Sequence, residues 1–165
     1  MAVNPVPEGY HTVNAYLIVD DAARALDFYA AAFGAKELFR LMVPRPDGSE
    51  RVGHAEIRIG DTNLMLCDEW PDMGALGPNR RGGGTASFVI YGPDTDAAFE
   101  RAVQAGAKVV KQVADQFWGD RMGTVADPFG HQWTLGTHIE DVAPEDLTHR
   151  MNEWAKAQNA QATVT

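Results

Sequence analysis

Residues 115–137, DQFWGDRMGTVADPFGHQWTLGT, decide how the chain is read. Two runs of strand composition, at 121–126 and 132–136, flank Asp127-Pro128-Phe129-Gly130. Pro128 pre-sets φ at the second position of a turn and Gly130 supplies positive φ, so the stretch predicts a β-hairpin. Trp118, Asp120 and Arg121 place an aromatic plane, an acid and a fork of donors just ahead of the turn.

Upstream, 87–91 has strand composition, and Pro93-Asp94 precedes a helix with Phe99, Ala102 and Val103 on one face. Gly106 closes that helix, and 108–113 reads as a strand leading into the hairpin. The first half has the same order. A strand at 13–19 meets Asp20-Asp21, either of which can cap a helix. Ala22, Leu26, Tyr29 and Phe33 then recur at helical spacing, and Gly34 ends the helix. A strand at 36–43 follows, then a turn at 44–48, and strands at 54–59 and 63–67 form a hairpin around Gly60-Asp61. Gly34-Ala35-Lys36 returns as Gly106-Ala107-Lys108, each between a helix and a strand. The predicted fold is α+β, two tandem βαβββ modules within one structural domain. The expected boundaries are an extended arm at 1–10, modules at 11–69 and 85–138, a Gly/Pro-rich linker at 70–84, and a tail at 139–165. Leu147, Met151 and Trp154 form an apolar stripe on a tail helix expected over 143–157, to dock on the domain or on a second subunit.

Fourteen basic against twenty-three acidic residues give a net charge of −9, which disfavours nucleic acid and anionic membrane surfaces as partners. The lone Cys67 excludes an intrachain disulfide framework and fits a reducing compartment. No apolar run approaches the roughly 20 residues of a membrane span, and the expected location is the cytoplasm.

The phrases Ala25-Leu26-Asp27-Phe28-Tyr29, Phe33-Gly34-Ala35 and Asp127-Pro128-Phe129-Gly130-His131, set in two βαβββ units, resemble the vicinal oxygen chelate superfamily of glyoxalases, bleomycin-resistance proteins and extradiol dioxygenases. Residues 54–60, HAEIRIG, and Phe117-Trp118-Gly119 resemble its PhnB-like branch. The resemblance implies sheets that together form a cup, and a homodimer whose cups are often shared between chains. It also implies four strand positions where the metalloenzymes hold a divalent ion, falling here on Asn14, Met65, Ser87 and Thr134. None is a good ligand for a transition metal, which prefers imidazole, thiolate or carboxylate, so no cofactor is expected. His11 precedes Asn14 by three residues and so points to the opposite face unless a bulge intervenes.

Strand alternation assigns inner and outer faces. Ala15, Leu17, Val19, Ala55, Ile57, Ile59, Leu64, Leu66, Trp133 and Leu135 should lie under the helices. Asn14, Tyr16, His54, Glu56, Arg58, Met65, Cys67, Ser87, Val89, Tyr91, Arg121 and Thr134 should line the cup. His54 and Glu56, two apart on one strand, project about 7 Å from each other on one face. They are candidates for acid–base work, for ligand hydrogen bonding, or for a structural pair. Trp118 and Tyr91 could stack on a flat ligand, and Arg121 could clamp an anion or form a salt bridge. His131 and His138 read as exposed turn and tail residues. The favoured function is metal-independent binding of a planar or anionic small molecule, as in the bleomycin-resistance branch. The alternative is a glyoxalase- or dioxygenase-type lyase or isomerase, working through a displaced divalent metal (His11, His54, Glu56) or through His/Glu acid–base chemistry.

Overall fold

The computed structural model describes residues 3–162; the first two residues of the arm and the last three of the tail lie outside them. The chain runs β1 (Tyr16–Val19), α1 (Ala22–Phe33), β2 (Lys36–Pro44), β3 (Glu50–Ile59) and β4 (Thr62–Asp68), then β5 (Ser87–Tyr91), α3 (Thr95–Gln104), β6 (Lys108–Asp115), β7 (Asp120–Ala126) and β8 (Gln132–His138). A short α2 (Pro78–Arg81) lies between the halves, and α4 (Pro144–Ala162) forms the tail. The strands make two separate four-stranded sheets, ordered β1-β4-β3-β2 and β5-β8-β7-β6. In each, the first strand pairs in parallel with the fourth and the rest are antiparallel. This is the expected pair of βαβββ modules.

The same chemistry starts both long helices. Asp21 accepts a hydrogen bond from the Arg24 amide at 3.1 Å, and Asp94 one from the Ala97 amide at 3.0 Å. Each satisfies a donor that the first turn leaves without a partner. At the other end of α1, Gly34 adopts φ 68°, a left-handed cap closed to most side chains.

Helices α1 and α3 lie against each other, each also covering the inner face of its own sheet. The inner set is buried as alternation requires: Leu17, Val19, Ala55, Ile57, Leu64, Leu66, Trp133 and Leu135 join one core. Aromatic rings weld the modules. Phe33 stands 4.8 Å from Trp133 between ring centroids, and Phe28 and Tyr29 meet Phe129 edge-on at about 6 Å.

Asp127 anchors that seam. Its buried carboxylate accepts from Tyr29 Oη and Trp133 Nε1, both at 2.8 Å, and from the Phe129 and His131 amides at 2.9 Å. The hairpin turn is therefore held by its own first side chain and bolted to α1. In the first module the buried Asp68, at the end of β4, takes the Ala22 and Val52 amides at 2.7 Å each.

The connections and the tail take the following form. The arm is not simply extended: Tyr10 N donates to Pro7 O in a turn, and Gly9 packs against Asn63 and Arg58. The 70–84 segment carries a 3-10 turn and α2, with Asn79 Nδ2 donating to Pro128 O at 3.0 Å, so it ties the modules together. Val103 is partly exposed rather than part of the buried face of α3. The tail helix touches its own chain lightly, through a Phe117–Trp154 ring contact and an Arg150–Glu140 ion pair, leaving Met151 and Trp154 about half exposed.

Candidate functional site

The sheet faces opposite the helices are open on both modules. Leu38, Phe39, Leu41 and Met42 of β2 are 42–57% exposed, and Tyr16, Val89 and Tyr91 are similarly uncovered. One face cannot close on the other within a chain, because the two helices stand between the sheets. Within one chain the two sheets therefore form half-cups that face apart.

Equivalent rows cross the two outer faces. Tyr16 and Val89 each lie five residues before the helix cap. From Tyr16 the register runs to Met65, Glu56 and Phe39; from Val89 it runs to Thr134, Thr124 and Lys111. On the first sheet the polar groups join. Tyr16 Oη is 3.0 Å from His54 Nδ1, and His54 Nε2 makes a long contact of 3.4 Å to Glu56 Oε1. The Tyr16 and Phe39 rings flank the imidazole at 5.6 and 5.7 Å. Burial, reinforced by the neighbouring Cys67 thiol, pushes the Tyr16 hydroxyl up to about 12. Burial also raises the pKa of Cys67. From the arm, Tyr10 brings its hydroxyl beside Glu56; burial and its interaction with that carboxylate push it to about 12, though it forms no well-aligned hydrogen bond among the described residues.

On the second sheet the polar groups are used up. Asp120 is buried and accepts from Tyr91 Oη at 2.7 Å and Trp118 Nε1 at 3.0 Å, with His138 Nδ1 at 2.7 Å. Burial pushes its pKa up, but the three hydrogen bonds and the His138 charge outweigh burial and hold it below the ordinary carboxyl value. His138 also reaches Asp141 at 3.0 Å, and the two acids raise its pKa. Thr134 and Thr124 join their hydroxyls at 2.9 Å. His138 is thus a network member rather than a tail residue, and His131, half-buried, contacts Ile18 O at 3.1 Å through Nε2.

Arg121 does not line the outer face. It pairs with Thr137, on the side of Gly123 and Val125, and its guanidinium binds Asp96 at 2.6 and 2.8 Å and Asp115 at 2.7 Å. The first turn of α3 supplies the carboxylate that draws it to the helix side. Arg58 donates to Asn63 at 2.9 Å. Trp118 stands at the rim, edge-on to Phe117, while Ser87 lies on the outer face opposite Gln132.

The four positions where the resemblance places a divalent ion, Asn14, Met65, Ser87 and Thr134, occupy equivalent places in the two modules. Their donors do not suit one. Asn14 spends its side-chain amide on His11, accepting from its N–H at 2.9 Å and donating to its carbonyl. Met65 is a thioether, Ser87 and Thr134 are hydroxyls, and Thr134 is already bonded. His11, His54 and Glu56 do not converge either: no group of three His, Cys, Asp or Glu side chains suited to an ion forms among the described residues. A cleft of about 680 Å³ opens between the modules beside β5, with Asn14, Val89 and Tyr91 as well as Phe33, Trp133 and Arg101 in its walls. No helix among the described residues is long and apolar enough to cross a membrane.

Known proteins match this arrangement. The model of the Glyoxalase/Bleomycin resistance protein/Dioxygenase superfamily covers residues 10–135. An uncharacterised protein of Mycobacterium bovis is 43% identical over 155 residues, 92% of this chain and 97% of the relative. The crystal structure of TioX from a Micromonospora species aligns with a TM-score of 0.58 and 28% identity, over 79% of this chain and 100% of that one. The fosfomycin resistance protein FosX of Listeria monocytogenes aligns with a TM-score of 0.58 over 84% of this chain and 98% of that one; at 16% identity it shares the fold alone.

Proposed function

The chain belongs to the Glyoxalase/Bleomycin resistance protein/Dioxygenase superfamily, and from that premise we propose that it is a homodimeric, metal-independent binding protein for a planar small molecule. The observation that carries this reading is the pair of open outer faces, with Tyr16, Phe39, Leu41, Val89 and Tyr91 exposed on them, turned apart by the helix layer. A second copy can set its second sheet against the first sheet of this one, making a cup from Tyr16, Phe39, Leu41 and Met65 on one wall and Val89, Tyr91 and Thr134 on the other. Aromatic and sulfur surface buries the ligand, and a few polar groups fix its orientation. With Arg121 paired on the helix side, the anionic clamp drops out and planarity remains.

The test is thermal unfolding with a panel of planar aromatic compounds, with and without EDTA. A ligand at a hundred times its Kd adds about 2.7 kcal/mol, and the melting temperature should rise by roughly 5–11 °C and stay raised in EDTA. Stabilisation that appears only with an added divalent metal would overturn the proposal.

A further inference from the structure

The polar line on the first sheet indicates what the ligand must carry. A carboxylate only accepts hydrogen bonds, so the contact to Glu56 assigns the proton of His54 to Nε2. Nδ1 is then the acceptor, and the Tyr16 hydroxyl donates to it. With its own proton committed, Tyr16 Oη faces the open half-cup as an acceptor. Glu56 forms no ion pair with arginine or lysine among the described residues, and Arg58 is turned to Asn63, so its charge is left for the imidazole. The flanking Phe39 and Tyr16 rings give the spot flat apolar walls. A second mark is the Tyr10 hydroxyl, buried beside Glu56 and engaged with that carboxylate, yet without a well-formed hydrogen bond. Buried hydroxyls in that state are uncommon, and a ligand oxygen is one partner that would satisfy it.

We propose that this face is a binding site for a phenol or enol, whose acidic O–H is received by Tyr16 Oη and whose proton is passed on to His54. This rests on the planar-ligand reading and sharpens it. In the transfer the ligand O–H bond breaks and its proton joins Tyr16 Oη. The original Tyr16 proton moves to His54 Nδ1, and the imidazolium keeps its Nε2–H bond to Glu56. One neutral ligand and one neutral imidazole become an anion and a cation, so charge balances without a further reactant. The Tyr10 hydroxyl turns to donate to the ligand oxyanion. A cationic ligand would use Glu56 but leave the Tyr16–His54 pair without a role.

The probe is 4-nitrophenol, with 4-nitroanisole, its methyl ether, as the control that lacks the proton. Both are titrated into the full-length protein at a pH below the ionisation of free 4-nitrophenol, and absorbance reads the ionisation state of the bound probe. The expected result is nitrophenol bound as the yellow phenolate, at least tenfold tighter than the ether. Tyr16→Phe and Glu56→Gln, checked for wild-type circular dichroism, should abolish the phenolate band, while Tyr10→Phe keeps the band and weakens binding several-fold. Ether and phenol binding equally well, with the phenol un-ionised, would overturn this inference and leave the planar-ligand reading standing. Failure of both probes to bind would overturn the inference and count against that reading too.

Discussion

The two outer sheet faces are built on one topology and treat polar side chains in opposite ways. On the second sheet, Asp120 collects Tyr91, Trp118 and His138, and Thr124 and Thr134 satisfy each other. On the first, the Tyr16–His54–Glu56 line ends at a long contact and a Tyr10 hydroxyl without a well-formed hydrogen bond. A satisfied network makes a stiff wall, whereas an unsatisfied one stores a cost that a ligand can relieve. In the proposed reading, the first sheet supplies the groups that recognise the ligand and the second a stiff opposing wall.

The buried carboxylates should show the largest difference. Asp127→Ala strands four donors, one of them Tyr29 from across the seam, and should cost about 3–5 kcal/mol; Asp68→Ala strands two amides and should cost about 2–3 kcal/mol. Urea denaturation of both variants checks the order, and an equal loss would mean the seam is not where the second module is held. Next come the glycines. Gly119, at φ 97°, would push a Cβ into the Glu140 carbonyl, whereas Gly60, at φ 58°, has open space around it. Gly119→Ala should therefore cost about 2–3 kcal/mol and Gly60→Ala about 1 kcal/mol by the same measurement.

The Asp120–His138 pair should give a smaller, pH-dependent effect. The folded Asp120 carboxyl sits below its ordinary 3.8, so its contribution is present above pH 3.8 and is lost as pH falls through the lower folded value. The folded His138 pKa sits above 6.5, so its contribution is complete below pH 6.5 and fades as pH rises through the folded value. The melting-temperature gap between wild type and His138→Gln should be widest between those two values and narrow on either side. A gap independent of pH would rule out charge as its source. Smallest, and equal in the two modules, should be the helix caps: Asp21→Ala and Asp94→Ala at about 1 kcal/mol each.

Much of the fold can be read from local signals, because its punctuation is chemical. Asp21 and Asp94 cap, Gly34 closes α1, and Asp127-Pro128-Phe129-Gly130 turns. The repeated Gly-Ala-Lys phrase then reveals the tandem architecture. The site is less legible because its partners are set by cross-strand register and by chain returning from elsewhere. Arg121 looks like a lining residue until pairing with Thr137 puts it on the helix side, near the Asp96 carboxylate. Asp120 and His138 are eighteen residues apart in sequence and opposite each other only in the β7–β8 ladder. Tyr10 reaches Glu56 because the arm folds back at Pro7–Tyr10, and no periodicity announces that. Asn14 and Met65 were legible as poor metal ligands from side-chain chemistry alone.

In the proposed reading a complete site takes two chains, and sedimentation equilibrium of the unliganded protein at micromolar concentration tests this most directly. The expected result is a single species of twice the chain mass that splits on Val89→Arg, a charge set on the proposed contact face. A wild-type protein that sediments as one chain, yet still binds a planar ligand, would contradict it.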